Sequence, residues 1–324
     1  MTSSTGTAAN LTEQAAAPHT DLDEIIEGLA RPQKMISPKF FYDQRGSQLF
    51  DAITELPEYY PTRTELTIMR DNIRAIADAV GPEASLIEFG SGSSRKVRLL
   101  LEHLERLAAY VPVDISTEHL VEAADALAAD FPNVEILPVA ADFTREFDLP
   151  SPKIPPRRNV VYFPGSTIGN FQPDAALSLL KVMRAEAKLG GALLIGVDLK
   201  KPVAVLERAY NDSAGVTAEF NLNMLRHLNR EFDADFDLAQ FEHRAIYNEA
   251  LGRIEMHLVS RRGQTVSIGG ERFGFEPGEW ILSECSHKYT PSEFAELAAR
   301  AMFKVADVWV DADELFSVQY CEAV

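Results

Sequence analysis

Between Leu86 and Lys96 the chain reads LIEFGSGSSRK, an apolar run that ends in an acidic residue and breaks into glycine-spaced turn chemistry before a helix-forming segment. Gly90 and Gly92 let the backbone turn sharply and approach a ligand closely. The helix N-terminus that follows offers unpaired N–H groups and a partial positive charge. A strand turning in this way into a helix belongs to an α/β layering and reads as a nucleotide-type cofactor site, although the same Gly-x-Gly turn also serves as a plain strand-to-helix connection. A dinucleotide fingerprint would carry a third glycine where Arg95 stands, which speaks against a nicotinamide-dependent oxidoreductase.

Each of the next two apolar runs stops at an aspartate. Ala109 to Val113 ends at Asp114, about 20 residues past the turn, where a second parallel strand sets a carboxylate against ribose hydroxyls. Val134 to Val139 leads to Asp142 and Phe143, an acceptor beside an aromatic face, which suits an adenine ring. Aspartates at strand ends are also ordinary turn formers and helix caps. Taken in this order, the glycine turn, Asp114 and Asp142-Phe143 resemble the cofactor site of class I S-adenosylmethionine-dependent methyltransferases.

The pattern continues to alternate. Helical stretches from Arg98 to Ala108 and Glu118 to Ala129 separate the runs, a fourth strand is expected at Asn159–Phe163 before PGSTIGN, and a fifth at Ala192–Val197 before Asp198. This predicts a mostly parallel sheet. Thr290, with Pro291 and Glu293, predicts a helix opened by a capping box. Val305–Val310 and Leu315–Tyr320 then predict a closing antiparallel hairpin at the sheet edge. The expected fold is α/β, a Rossmann-like class I methyltransferase sheet built from 63–199 and 288–324. Residues 20–62 and 200–287 are expected to form a second, α+β substrate-binding domain or lid, and 1–19 a flexible tail. In the insertion Ile254, Met256 and Leu258 alternate with Arg253, Glu255 and His257 as a strand does. Asp21 and Glu24 predict the start of an amphipathic helix carrying Leu22, Ile25, Ile26 and Leu29 inward.

A net charge of −18 opposes binding to nucleic acid or to an anionic membrane surface. No stretch is apolar enough for a signal peptide or a membrane span, so a cytoplasmic protein is expected. Two cysteines, Cys285 and Cys321, and seven histidines without ligand spacing suggest neither disulfides nor a metal site. A small-molecule substrate and a monomeric state are expected.

The stretch SPKFFYDQRGSQLFDAITELPEYYPTRTE, from Ser37 to Glu65, followed by EFGSGSSRK, PGSTIGN and SECSHKY, resembles the histidine-specific N-methyltransferases of ergothioneine biosynthesis from about residue 20 to the C-terminus. The resemblance implies three successive methyl transfers from S-adenosylmethionine to the α-amino nitrogen of L-histidine, giving hercynine and S-adenosylhomocysteine. It further implies a cofactor site of Tyr42, Gly90, Gly92, Lys96, Asp114, Asp142 and Phe143, with Tyr42 and Lys96 at the methionine end. The implied histidine pocket is Phe50, Tyr59, Gly165, Asn170, Tyr210, Met256, Glu284 and Ser286, with Tyr59 taken over Tyr60 as a possible proton relay.

The residue chemistry of this pocket can be read directly. Glu284 and Ser286, two apart in a strand, face the same way about 7 Å apart, and bracket an imidazole as acceptor and hydroxyl. They also fit the polar face of a surface strand. Asn170 and Tyr210 are neutral donors suited to a carboxylate. Phe50 and Tyr59 offer aromatic faces to a quaternary ammonium. Met256 suits either core or pocket shape. A free tyrosine, with pKa about 10, is a poor base at neutral pH. Methyl transfer therefore rests mainly on proximity, alignment and exclusion of water. A methyltransferase acting on an indole-containing amino acid, and a non-catalytic S-adenosylmethionine-binding module, are the competing readings.

Overall fold

The computed structural model describes residues 12–13, 20–91 and 95–324. In chain order the strands are β1 Thr12–Glu13, β2 Ala84–Phe89, β3 Ala109–Asp114, β4 Val139–Ala140, β5 Arg158–Phe163, β6 Ala192–Asp198, β7 Phe241–Asn248, β8 Arg253–Ser260, β9 Gln264–Ile268, β10 Glu271–Phe275, β11 Trp280–His287, β12 Phe303–Val310 and β13 Phe316–Ala323. The helices are α1 Asp21–Leu29, α2 Gln44–Thr54, α3 Tyr60–Asp71, α4 Ile73–Val80, α5 Arg95–Leu101, α6 Thr117–Asp130, α7 Pro173–Ala187, α8 Val203–Tyr210, α9 Val216–Glu231 and α10 Pro291–Arg300.

The main sheet has the order β1-β4-β3-β2-β5-β6-β13-β12. Its first six strands are parallel, and β13 lies antiparallel between β6 and β12, as the closing hairpin predicts. Alternate residues of one strand enter different cores. Leu86, Tyr110 and Val160 join the helices α3–α6 side, while Ile87, Val111 and Val161 join the α7 and α10 side. Because both faces are covered, these strands read as continuous apolar runs. From β2 the chain winds outward through β3 and β4, then returns to β5 on the other flank of β2. That reversal opens a crevice at the C-terminal ends of β2 and β5, where open α/β sheets bind ligands. Gly90 and Ser91 leave β2 there, and PGSTIGN leaves β5.

A second sheet, β11-β8-β7, is covered on one face by α8 and α9. One apolar cluster includes Ile25, Phe41, Leu49 and Tyr60 from the N-terminal segment and Leu206, Phe220, Met256 and Ile281 from the insertion. The two segments also pair through their backbones, with Ile36 N donating to Leu282 O at 3.0 Å and Leu282 N to Lys34 O at 2.9 Å. The insertion begins and ends side by side, because Tyr289 N donates to Asp198 O at 3.1 Å and Lys200 N to Tyr289 O at 3.0 Å. The last residues of β11 are thereby held over the end of β6.

Several expected boundaries move. The capping box of α1 is made by Thr20 and Asp23, one residue earlier than expected, whereas that of α10 is made by Thr290 and Glu293 as expected. The helix expected over 98–108 is α5, which stops at Leu101; beyond it Ala108 N donates to Ala84 O, and Glu105 O accepts from Glu83 N, drawing this backbone into the sheet. The run 134–139 shrinks to the two-residue β4 preceded by a bridge at Ile136, because Pro138 has no N–H to continue the ladder. The boundary expected at 62/63 falls inside α3. Of the expected tail, Thr12–Glu13 pair with β4, and the rest of 1–19 lies outside the described residues. Among the described residues no helix is long and apolar enough to cross a membrane, and no cluster of His, Cys, Asp and Glu is arranged to hold a metal ion.

Candidate functional site

At the end of β2, Gly90 has φ +74°, and its N–H donates to Val113 O at 2.8 Å. A Cβ there would meet the Phe143 ring at 3.6 Å, so the turn and the aromatic side chain are in contact. Phe143 packs against Phe89 and Phe163, with ring centroids 5.5 and 6.0 Å away. Asp114 ends β3; its Oδ1 accepts from Ser116 N at 2.9 Å, and burial raises its pKa. Asp142 follows β4 and uses Oδ1 to hold its own turn, accepting from Thr144 N at 3.0 Å and from the Thr144 hydroxyl at 2.6 Å. Gly90, Asp114, Asp142 and Phe143 therefore meet at the ends of three neighbouring strands. Gly92 lies outside the described residues.

Lys96, in the first turn of α5, is paired with Glu65 from α3, a carboxylate that offsets the unfavourable helix dipole. Glu65 is 1% exposed and also accepts from Gly165 N at 3.0 Å. It thus ties α3, the glycine-turn helix and PGSTIGN together, a role the sequence reading missed although Glu65 closes the distinctive stretch beginning at Ser37. The groups present fit S-adenosylmethionine. Asp114 offers a carboxylate, Phe143 a ring face, and the Ser91 hydroxyl, buried beside Gly90, has no hydrogen-bond partner among the described residues. Tyr42 lies where the two halves meet. One side is open, leaving the residue 46% exposed, while its ring packs on Phe50 at 5.9 Å.

The opposite wall comes from the second sheet. Along β11, Ile281 opposes Leu258 and Leu282 opposes His257, but a bulge then makes Glu284 oppose Met256 and Ser286 oppose Ile254. Directly opposed residues share a face, so the extra residue, Ser283, swings Glu284 and Ser286 onto the Ile254–Met256–Leu258 side. Ser283 is held by its hydroxyl, which donates to Asn221 Oδ1 at 2.7 Å. The other face of β8 is no surface either. Arg253, Glu255 and His257 are buried, Arg253 Nε donates to Glu255 at 2.9 Å, and His257 stacks on Trp280 at 3.6 Å.

Around this wall Tyr59 faces Tyr210, ring centroids 6.3 Å apart, and Phe50 lies beyond Tyr42. Adjacent tyrosines part company. Tyr59 turns to Tyr210, whereas the Tyr60 hydroxyl donates to Asp198 at 2.9 Å. PGSTIGN closes onto β11 at Gly169, where a Cβ would lie 2.7 Å from His287 O and 3.5 Å from Ser286 Oγ. Asn170 follows immediately and is half-buried, and Gly165 stands against Lys96. Burial pushes the Glu284 carboxyl up to about 7 against the opposing pull of Lys288. Burial, with Tyr210 and Glu284 adding to it, also raises the Tyr59 pKa well above its ordinary value. The phenol therefore stays protonated at neutral pH.

Below the wall lies a buried charge cluster absent from the sequence reading. Asp198, at the end of β6, accepts from Lys201 at 2.5 Å and pairs with Lys288 at 2.6 Å; both lysines are almost fully enclosed. Burial lowers the Lys201 pKa to about 8. The only sequence signals were the aspartate ending a strand and the lysine within SECSHKY.

This geometry agrees with what sequence comparison finds. Residues 21–323 match the family described as histidine-specific, S-adenosylmethionine-dependent methyltransferases. A histidine N-alpha-methyltransferase from Mycolicibacterium smegmatis is 42% identical over 294 residues, covering 89% of this chain and 90% of that one. Ergothioneine biosynthesis protein 1 of Schizosaccharomyces pombe is 28% identical over 87% of this chain and 38% of its own length. An L-tryptophan methyltransferase from Psilocybe serbica is 27% identical over 92% of this chain and 90% of its own. With its parallel sheet, glycine turn and ordered strand-end carboxylates, the chain belongs to the histidine-specific, S-adenosylmethionine-dependent methyltransferases.

Proposed function

We propose that this enzyme methylates the α-amino nitrogen of L-histidine three times, giving hercynine as a step of ergothioneine biosynthesis. The observation that carries the reading is the bulged end of β11, where Glu284 and Ser286 share one face with Met256. That face presents an acceptor and a hydroxyl at a spacing suited to the two nitrogens of an imidazole. The named histidine N-alpha-methyltransferase at 42% identity supports it independently. In this reading 63–199 with 288–324 hold the cofactor, and 20–62 with 200–287 close over the substrate. The separate apolar clusters of the two sheets support that division.

S-adenosylmethionine, when bound, supplies a sulfonium methyl carbon open to attack by a neutral amine. Asp114 would take its ribose, Asp142 and Phe143 its adenine, and Tyr42 with the Lys96–Glu65 pair its methionine end, over the turn at Gly90. The protein's remaining work is alignment. Glu284 accepts an imidazole N–H, Ser286 serves the other ring nitrogen, and Asn170 and Tyr210 hold the carboxylate, while Gly165 lets PGSTIGN approach. Tyr59, protonated at neutral pH, positions the ammonium through its oxygen or a water and passes a proton only as a relay, never as the base that removes it. With Phe50 it lends ring faces to the growing cationic nitrogen. Met256 shapes the floor.

The protein, incubated with L-histidine and excess methyl donor, is expected to yield a product three methyl groups heavier, with all three on the α-nitrogen by fragmentation. Methylation of a ring nitrogen would refute the orientation. Preference for tryptophan over histidine would favour the indole-type reading, and binding of the methyl donor without turnover a non-catalytic module.

A further inference from the structure

Lys288 has no place in the substrate shell described above, yet it meets two members of it from behind. Its ammonium donates to Ser286 Oγ at 2.7 Å and to the Tyr210 hydroxyl at 3.1 Å, and pairs with Asp198 Oδ2 at 2.6 Å. These three acceptors use its three N–H groups. Its side chain is 1% exposed, so no water substitutes for them. We propose that Lys288 is a positioning residue that sets the proton direction of Ser286 and Tyr210, so that the pocket presents hydroxyl donors to a ring nitrogen carrying a lone pair and to the substrate carboxylate. The proposal rests on the histidine reading above and deepens it.

An ammonium has no lone pair, so neither hydroxyl can donate to Lys288, and each gives it an oxygen lone pair instead. Two hydroxyl protons then remain. Even a bond between Ser286 and Tyr210 would consume only one of them. At least one proton must therefore leave the pair on the substrate side. Opposite stands Glu284, which accepts when ionised. The wall is thereby polarised, donor at one end and acceptor at the other, and fits a neutral imidazole in a single tautomer. An indole, which has an N–H but no ring lone pair, leaves the donor end unmatched.

The anchor is as fixed as the wall. Asp198 also accepts from Tyr60 at 2.9 Å and from Lys201, and its own N–H donates to Ser166 Oγ at 2.9 Å. Two cations share this one carboxylate, so Lys288 is held from below while it meets the two hydroxyls.

Histidine kinetics of wild type, Lys288→Met, Ser286→Ala/Tyr210→Phe and the triple variant test this, with methyl-donor affinity and melting temperature measured alongside. Lys288→Met is expected to raise KM for histidine on the order of 10-fold or more, with a smaller change in kcat and an unchanged affinity for S-adenosylmethionine. In the background lacking both hydroxyls the same substitution is expected to have little further effect, because nothing remains for it to orient. Should Lys288→Met not fold, Lys288→Gln replaces it; its NH2 group donates to the Asp198 carboxylate and leaves the amide oxygen, an acceptor, toward the hydroxyls, so the same rise is expected. Multiplying effects in the triple variant, an unchanged KM, or an equal loss of methyl-donor affinity would overturn the proposal. A wild-type protein inactive on histidine would overturn the functional reading and this inference with it, whereas an active wild type with any of the preceding results overturns the inference alone.

Discussion

Replacing Glu284 with glutamine separates what this carboxylate does for folding from what it does for substrate. Burial raises its pKa from 4.5 to about 7. A raised carboxyl pKa means that the folded state binds the proton more tightly than the unfolded chain, so stability falls as pH rises from the unfolded value through the folded one. A shift of that size costs the substrate-free enzyme about 3 kcal/mol near pH 8 and less than about 1 kcal/mol near pH 5. Glu284→Gln keeps the shape and removes the charge. It is expected to unfold at higher denaturant than wild type near pH 8, with most of that gain gone near pH 5. The same substitution loses a charge-assisted hydrogen bond to the ring, worth about 1.5–3 kcal/mol, or roughly 10- to 150-fold in kcat/KM for histidine. Denaturant titrations at both pH values, with kcat/KM for histidine and tryptophan, check both halves. A stability difference independent of pH would refute the buried-charge argument. An unchanged histidine-to-tryptophan ratio would remove Glu284 from the substrate site.

Two further substitutions address the joints of the site. Gly169→Ala places a Cβ 2.7 Å from His287 O, a backbone atom that cannot step aside. It is expected to cost about 1–3 kcal/mol of stability and to weaken histidine use more than methyl-donor binding, measured by calorimetry for each ligand. Lys96→Met leaves Glu65, 1% exposed, without its cation, and is expected to destabilise the fold by about 3–5 kcal/mol and to weaken methyl-donor affinity. Lys96→Met/Glu65→Gln is expected to be more stable than the sum of the single effects predicts, and additive denaturation energies would contradict the pairing.

The parallel strands were legible because burial on both faces writes them as unbroken apolar runs, and α10 because Thr290, Pro291 and Glu293 signal a helix start without competition. At α1, Thr20 and Asp21 are both good caps, and sequence alone gave no means to choose between them. Pro138 was visible, but its effect on β4 depends on which strand needed the missing N–H. The cofactor side of the site could be read from strand ends that lie in sequence order. Glu65 and Lys288 could not, since each acquires its role from a partner far away in the chain, Gly165 in one case and Asp198 in the other. Asp142 shows the ambiguity of a single residue, because its carboxylate makes the local turn that any strand-end aspartate can make.

The extra residue in β11 makes the composition of the pocket a matter of parity. Up to Leu282 odd-numbered residues point toward Met256 and even-numbered ones toward His257; beyond Ser283 the assignment is inverted. Were the ladder regular, Ser283 and Cys285 would stand where the glutamate and serine now do, opposite Met256 and Ile254, and those two would enter the layer of Arg253 and Glu255. The specificity of this wall is therefore encoded less by any single side chain than by the number of residues between Leu282 and Glu284. Among relatives with the same motif, a gain or loss of one residue there exchanges the whole chemistry of the surface, while a point change at Ser283 leaves the count intact.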